Sequence, residues 1–129
     1  MRQWEGLNRR RFPRVNYPCL VVIQNADDKK EMIMSQTENV GVGGICVILR
    51  NNLKMFCPVE LEIDLMDLGG HIRCKGKVVW CVQRKMEEKD KPLFYDTGIE
   101  FQDITPHDKQ RLSDIVQHLA KHHTTEYKR

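Results

Sequence analysis

The sequence predicts an all-β domain of six short antiparallel strands, a barrel or a sandwich, finished by a single C-terminal helix. Three observations carry this reading. Val59, Leu61, Ile63 and Leu65 alternate with Glu60, Glu62 and Asp64, the period of two that turns one strand face to a core and the other to water. Short β-branched runs recur between clusters of Gly, Asp, Asn and Lys that act as turns. After Thr105 the spacing changes, and Leu112, Ile115, Val116 and Leu119 recur at helical intervals.

The elements follow in order. Residues 1–16 are polar and arginine-rich, and Pro13 disfavours a continuous helix, so they read as a flexible arm. The run 17–26, with Leu20-Val21-Val22-Ile23 at its centre, meets the run 31–40 across the polar turn Asp27-Asp28-Lys29-Lys30, as in a hairpin. Gly41, Gly43 and Gly44 then mark a tight corner before the strand 45–49. The alternating strand 59–65 comes next. Ile72, Cys74, Gly76, Val78, Trp80 and Val82 share one phase of the following run, and a charged loop from Arg84 to Lys91 joins it to the last strand, 93–101. Thr105 can cap the helix, with Pro106 at its first position and Asp108 near the positive end of its dipole. The helix is expected over 105–123, with a frayed tail, and the barrel body over 17–104.

Composition bounds the function. A chain of 129 residues with 40% apolar and 30% charged side chains fits one folded domain. The net charge of +3 is too small for a nucleic-acid footprint, but it is unevenly placed. Residues 1–14 hold Arg2, Arg9, Arg10, Arg11 and Arg14 against Glu5, whereas the remaining 16 basic and 17 acidic side chains nearly cancel. Five cysteines without a Cys-x-x-Cys pair indicate neither a disulfide framework nor a zinc site, and read as small core hydrophobes in a reducing cytoplasm. With no apolar run behind the N-terminus and none long enough to span a bilayer, a cytoplasmic protein without membrane insertion is expected.

Two segments carry the chemistry. In Arg10-Arg11-Phe12-Pro13-Arg14, the arginines at 10 and 14 each offer a planar fork of donors that fits a phosphate or the O6/N7 edge of guanine. In Asn39-Val40-Gly41-Val42-Gly43-Gly44, an amide that both donates and accepts sits among glycines that admit a ligand to the backbone. Either segment alone has a plain structural explanation, a solvated tail or a glycine-rich corner. Trp80 shares its parity with Val78 and Val82, which puts it in the core unless a bulge shifts the register. His118 and His122 lie one helical turn apart, but no third metal ligand has suitable spacing. No hydrolase, nucleotidase or metalloprotease motif is present, so a binding role without catalysis, metal or cofactor is expected.

In combination and in this order, the two segments resemble the PilZ domain family. Its Arg-x-x-x-Arg motif matches Arg10 and Arg14, and its Asp/Asn-x-Ser-x-x-Gly motif matches Asn39, Gly41 and Gly44, with Gly41 standing in place of the serine. Further likeness lies in Gly76-Lys-Val-Val-Trp80, in Thr97-Gly-Ile-Glu-Phe101 and in the terminal helix, so the resemblance spans about 9–123. It implies a six-stranded barrel that holds the bacterial second messenger cyclic di-GMP on its outer surface under the folded arm. Arg10 and Arg14 would grip guanine and phosphate, with Asn39 and Gly44 meeting the ligand from the barrel side. An arginine at the place of Arg9 accompanies a stacked ligand pair in relatives, Arg11 would add steering charge, and Trp80 could offer guanine a stacking surface. An unidentified effector protein would read the closed state. The rivals are a PilZ adaptor that no longer binds nucleotide, a small barrel for single-stranded nucleic acid, and an unrecognised enzyme. The near-neutral, aromatic-poor barrel speaks against the second.

Overall fold

The computed structural model describes residues 14–26, 32–67, 69–84 and 93–127, with the side chains of all of these except Arg14 and residues 120–127. The chain forms β1 (Arg14–Val15), β2 (Leu20–Asn25), β3 (Met32–Gly41), β4 (Gly44–Leu49), β5 (Pro58–Asp64), β6 (Ile72–Gln83), β7 (Tyr95–Phe101) and α1 (Pro106–Tyr127). Six of the strands follow one another around a ring in the order β3-β2-β5-β6-β7-β4, and β4 bonds back to β3. Every pairing is antiparallel, so the closed barrel leaves no long edge to aggregate. All six expected strands are present, and α1 continues past the expected end at 123 to Tyr127.

Alternation fills the interior. Val21 and Ile23 of β2, Leu61 and Ile63 of β5, and Ile45 and Val47 of β4 are buried, while Glu60 and Glu62 beside them reach water. Each such apolar side chain removed from water contributes ~1.5–3 kcal/mol before its ordering entropy is charged against it. Cys19 and Cys74 join this core, Cys57 and Cys81 pack against it partly buried, and Cys46 is buried outside it; none of the five is in a disulfide. Burial pushes the Cys74 thiol up to about 12 and raises that of Cys19 as well, which keeps both protonated and unreactive.

β1 was not foreseen. The last residues of the stretch expected to be arm pair with the end of β3, Arg14 opposite Gly41 and Val15 opposite Val40. Thr37, 3% exposed, fixes the bend between β1 and β2. Its Oγ1 accepts from the Cys19 amide at 3.0 Å and donates to the Tyr17 carbonyl at 2.6 Å, and its own amide donates to the Cys19 carbonyl. Tyr17 is held in turn by its hydroxyl, which donates to the Leu65 carbonyl.

α1 packs against β1 and β3. Its cap forms as the sequence indicates, with the Asp108 amide donating to Thr105 Oγ1 at 3.2 Å. Leu112 and Val116 supply the buried stripe, and Arg111 clamps the helix to the β5–β6 connection. Its guanidinium donates to Asp67 Oδ1 at 2.9 Å and to the Gly70 carbonyl at 2.7 Å. Burial pulls the Asp67 carboxyl upward, but the Gly69 amide and Arg111 outweigh it and hold the group below the usual carboxylate range. No helix among the described residues is long and apolar enough to cross a membrane.

Two outcomes test this packing. Leu112→Ala should lower the unfolding free energy by ~2–5 kcal/mol in urea, whereas Gln117→Ala on the exposed face should change it by less than ~0.5 kcal/mol. Because the folded state depresses the Asp67 pKa below its ordinary 3.8, the clamp is complete above that value and is lost as pH falls through the folded one. The stability advantage of the wild type over Asp67→Asn should therefore shrink steadily below about pH 4.

Candidate functional site

A one-residue insertion in a strand moves every later side chain to the opposite face. β3 and β6 each contain one. On β3, Thr37 faces Val47 but Asn39 faces Cys46, so Glu38 is the extra residue. On β6, Val78 faces Ile99 but Trp80 faces Gly98, so Val79 is the extra residue. The buried side chains of Val47 and Ile99 define the inner face. Asn39 and Trp80 consequently stand on the outer one, and the core position expected for Trp80 from its parity with Val78 is corrected by the bulge. Val82, in the same phase as Trp80, is 55% exposed.

These two residues end a single row that runs around the barrel. Asn39 pairs with Cys46, Cys46 with Gly98, and Gly98 with Trp80. The middle positions are small, and the indole lies over Gly98 so closely that a Cβ there would meet its ring carbons at 2.4 Å. At the other end, the Asn39 Oδ1 is buried and accepts no hydrogen bond from any of the described residues. A buried acceptor without a donor costs ~1–3 kcal/mol.

The two sequence segments meet beside that oxygen. Gly41, two residues on from Asn39 along β3, is the Cα partner of Arg14, so the second arginine of the arm motif begins from the backbone of the glycine corner. Arg9, Arg10 and Arg11 lie outside the described residues, as does the Arg14 side chain. Gly41 takes no positive φ, and neither does any other described glycine. Gly44, expected to contact the ligand, pairs with Glu100 of β7. It is buried, and a Cβ there would stand 2.2 Å from the Ile99 carbonyl oxygen, so close approach of β7 is itself a reason for glycine. Thr37, which orients the chain between β1 and β2, went unnoticed in the sequence because nothing local marks a threonine as the partner of a bend 20 residues away.

Further around the same face, Gly44 pairs with Glu100 and Glu100 with Lys77. Among the described residues, no group of three His, Cys, Asp or Glu side chains could hold a metal. His118 is exposed on α1, and the His122 side chain lies outside the described residues.

The family model for the PilZ domain matches residues 8–118. Among curated proteins none is similar enough in sequence to match. Solved structures are similar in fold at low identity. The Bacillus subtilis inhibitor of motility MotI/DgrA has a TM-score of 0.66 and 22% identity over 94% of this chain and 54% of its own. The PilZ domain of Escherichia coli YcgR, solved with c-di-GMP, has a TM-score of 0.63 and 16% identity over 92% of this chain and 96% of its own. The K. pneumonia MrkH–c-di-GMP complex has a TM-score of 0.72 and 15% identity over 92% of this chain and 55% of its own. The chain thus spans about half the length of MotI and MrkH.

Two glycines test the geometry of the row. Gly44→Ala should destabilise the fold by ~1–3 kcal/mol in urea, since the β7 backbone must retreat. Gly98→Ala should displace the indole, seen as an altered near-ultraviolet circular dichroism band and a shifted emission maximum in a Trp4→Phe background. An unchanged spectrum would mean that Trp80 does not rest on Gly98.

Proposed function

This chain belongs to the PilZ domain family, and we propose that it is a cyclic di-GMP receptor whose ligand lies on the outer face between Arg14, Gly41 and Asn39. The observation that carries this reading is the buried Asn39 Oδ1, unpartnered among the described residues and set two residues along β3 from the position where Arg14 joins the strand. A guanine N–H or a guanidinium would satisfy it. Support comes also from relatives of the same fold, YcgR and MrkH, that were solved with c-di-GMP.

In this reading the forks of Arg10 and Arg14 take the guanine O6/N7 edge and a phosphate. Trp80, brought outward by its bulge, stacks on a base. Arg9 serves a second ligand molecule in a stacked pair, and Arg11 adds charge. The arm orders over the bound anions, because an arginine-rich segment repels itself until they arrive. The closed arm and nucleotide form the surface that a downstream protein recognises in the cytoplasm, so the output is a binding event and not a reaction. In this account the arm extends over 1–16, the barrel over 17–104 and the helix over 105–123. Gly41 in place of serine favours one other reading, an adaptor that recognises protein without nucleotide, and a titration decides between them.

Calorimetry should show binding of cyclic di-GMP in preference to cyclic di-AMP and GMP, with two ligands per chain and nearer one for Arg9→Leu. Arg10→Ala or Arg14→Ala should each remove ~1.5–3 kcal/mol of binding with an unchanged melting temperature. Gly41→Ser should strengthen binding up to about tenfold, since its φ suits any L residue and one hydrogen bond is regained. Absence of heat with every nucleotide would leave the adaptor.

A further inference from the structure

A cleft of about 340 Å³ opens beside the β3–β4 corner, between the end of β7 and the first turn of α1. Val42, Phe101 and Ile104 form apolar walls, and Gly43, Glu100, Gln102 and Lys109 supply the polar groups. Its floor is tied together by the Phe101 amide, which donates to the Gly43 carbonyl at 2.9 Å. We propose that this cleft seats a guanine whose Watson–Crick edge is read by the Glu100 carboxylate, making Glu100 a determinant of base specificity. The proposal rests on the receptor reading above and assigns it a group that neither arginine motif nor glycine corner contains.

The register places Glu100 within reach of the ligand. Glu100 faces Gly44 of the corner on one side and Lys77 on the other, and it lies two residues beyond Gly98, the position covered by the indole. Gly44 has no side chain, so nothing projects from β4 between the carboxylate and the corner. Glu100 is only partly exposed, yet among the described residues no hydrogen bond or ion pair engages its carboxylate. A carboxylate that only accepts matches the N1–H and N2–H donors of guanine, which point the same way and can be bound together. Adenine has an acceptor at N1 and no amine at C2, so the same group rejects it. Hypoxanthine keeps the N1–H and lacks the amine.

Charge is the obvious objection, since a carboxylate repels the two phosphates of the ligand. Lys77 directly across the strand pair and Lys109 on the opposite wall of the cleft offset it. Lys77 is also held near the surface by Phe56, whose ring centroid lies 5.8 Å from the ammonium. A half-exposed carboxylate with one lysine paired across the strands and another lining the same cleft is attractive to a ligand that has both donors and anionic oxygens, and unattractive to a bare polyanion.

Cyclic di-GMP and its inosine counterpart, which differ only in the two N2 amines, should be titrated into the wild type, Glu100→Gln and Glu100→Ala. The wild type should prefer the guanine ligand by about tenfold or more. Both variants should bind the two ligands within about twofold of each other. Glu100→Gln preserves side-chain volume, and the comparison of ligands on the wild type requires no variant to fold. Equal affinities on the wild type, or a preference that survives in both variants, would overturn the role of Glu100 while leaving the receptor reading intact. No binding of cyclic di-GMP by the wild type would overturn that reading, and this assignment with it.

Discussion

Two extra residues, Glu38 in β3 and Val79 in β6, decide which side chains this barrel keeps inside and which it shows. Strict alternation would carry Asn39 inward after Thr37 and Trp80 inward after Val78. An amide would then occupy an interior otherwise made of Val, Ile and Leu, and an indole would have to fit where Val78 and Ile99 already meet. Burying the amide without partners and overfilling the core would each cost of order 1–3 kcal/mol. The bulges avoid both and place the two residues in one outer row, with Cys46 and Gly98 between them. Core packing and the make-up of the outer row are thus set by the same two insertions.

The row also explains why the corner is so rich in glycine. Gly98 leaves room for the indole, and Gly44 lets β7 approach β4, so both are required by contacts within the protein. Gly41 differs. Its backbone is unstrained, it pairs with Arg14, and it is the position where the family pattern has a hydroxyl. Substitutions at Gly44 and Gly98 therefore report on contacts within the protein, whereas Gly41 is where the proposed ligand contact is tested. On its other side β1 touches α1, so the strand that brings Arg14 to the corner is shared between the candidate site and the C-terminal helix.

Much of this architecture was legible in the sequence. The strand at Val59–Leu65 shows its alternation openly because one face meets water along its whole length, and the helix shows both its cap at Thr105 and its stripe at Leu112 and Val116. What stayed hidden was non-local. A bulge has no signature in composition, so Trp80 carried the parity of Val78 although its side chain lies on the other face. β1 is only two residues long and owes its existence to Gly41 and Val40, far along the chain. Glu100 read as one more charged residue on a strand, because only the closed ring sets it opposite Gly44 and Lys77. Periodicity reveals which residues can form a core, whereas the site depends on which strands become neighbours.

Amide chemical shifts decide whether cyclic di-GMP lies on the outer face defined by Asn39, Gly41 and Trp80, as proposed above. On titration of the ¹⁵N-labelled protein with cyclic di-GMP, the Asn39 side-chain amide, the backbone amides of Gly41 and Gly98 and the Trp80 indole N–H should shift together, while amides of β2 and β5 across the barrel stay in place. Shifts confined to β2 and β5, or none at saturating ligand, would contradict it.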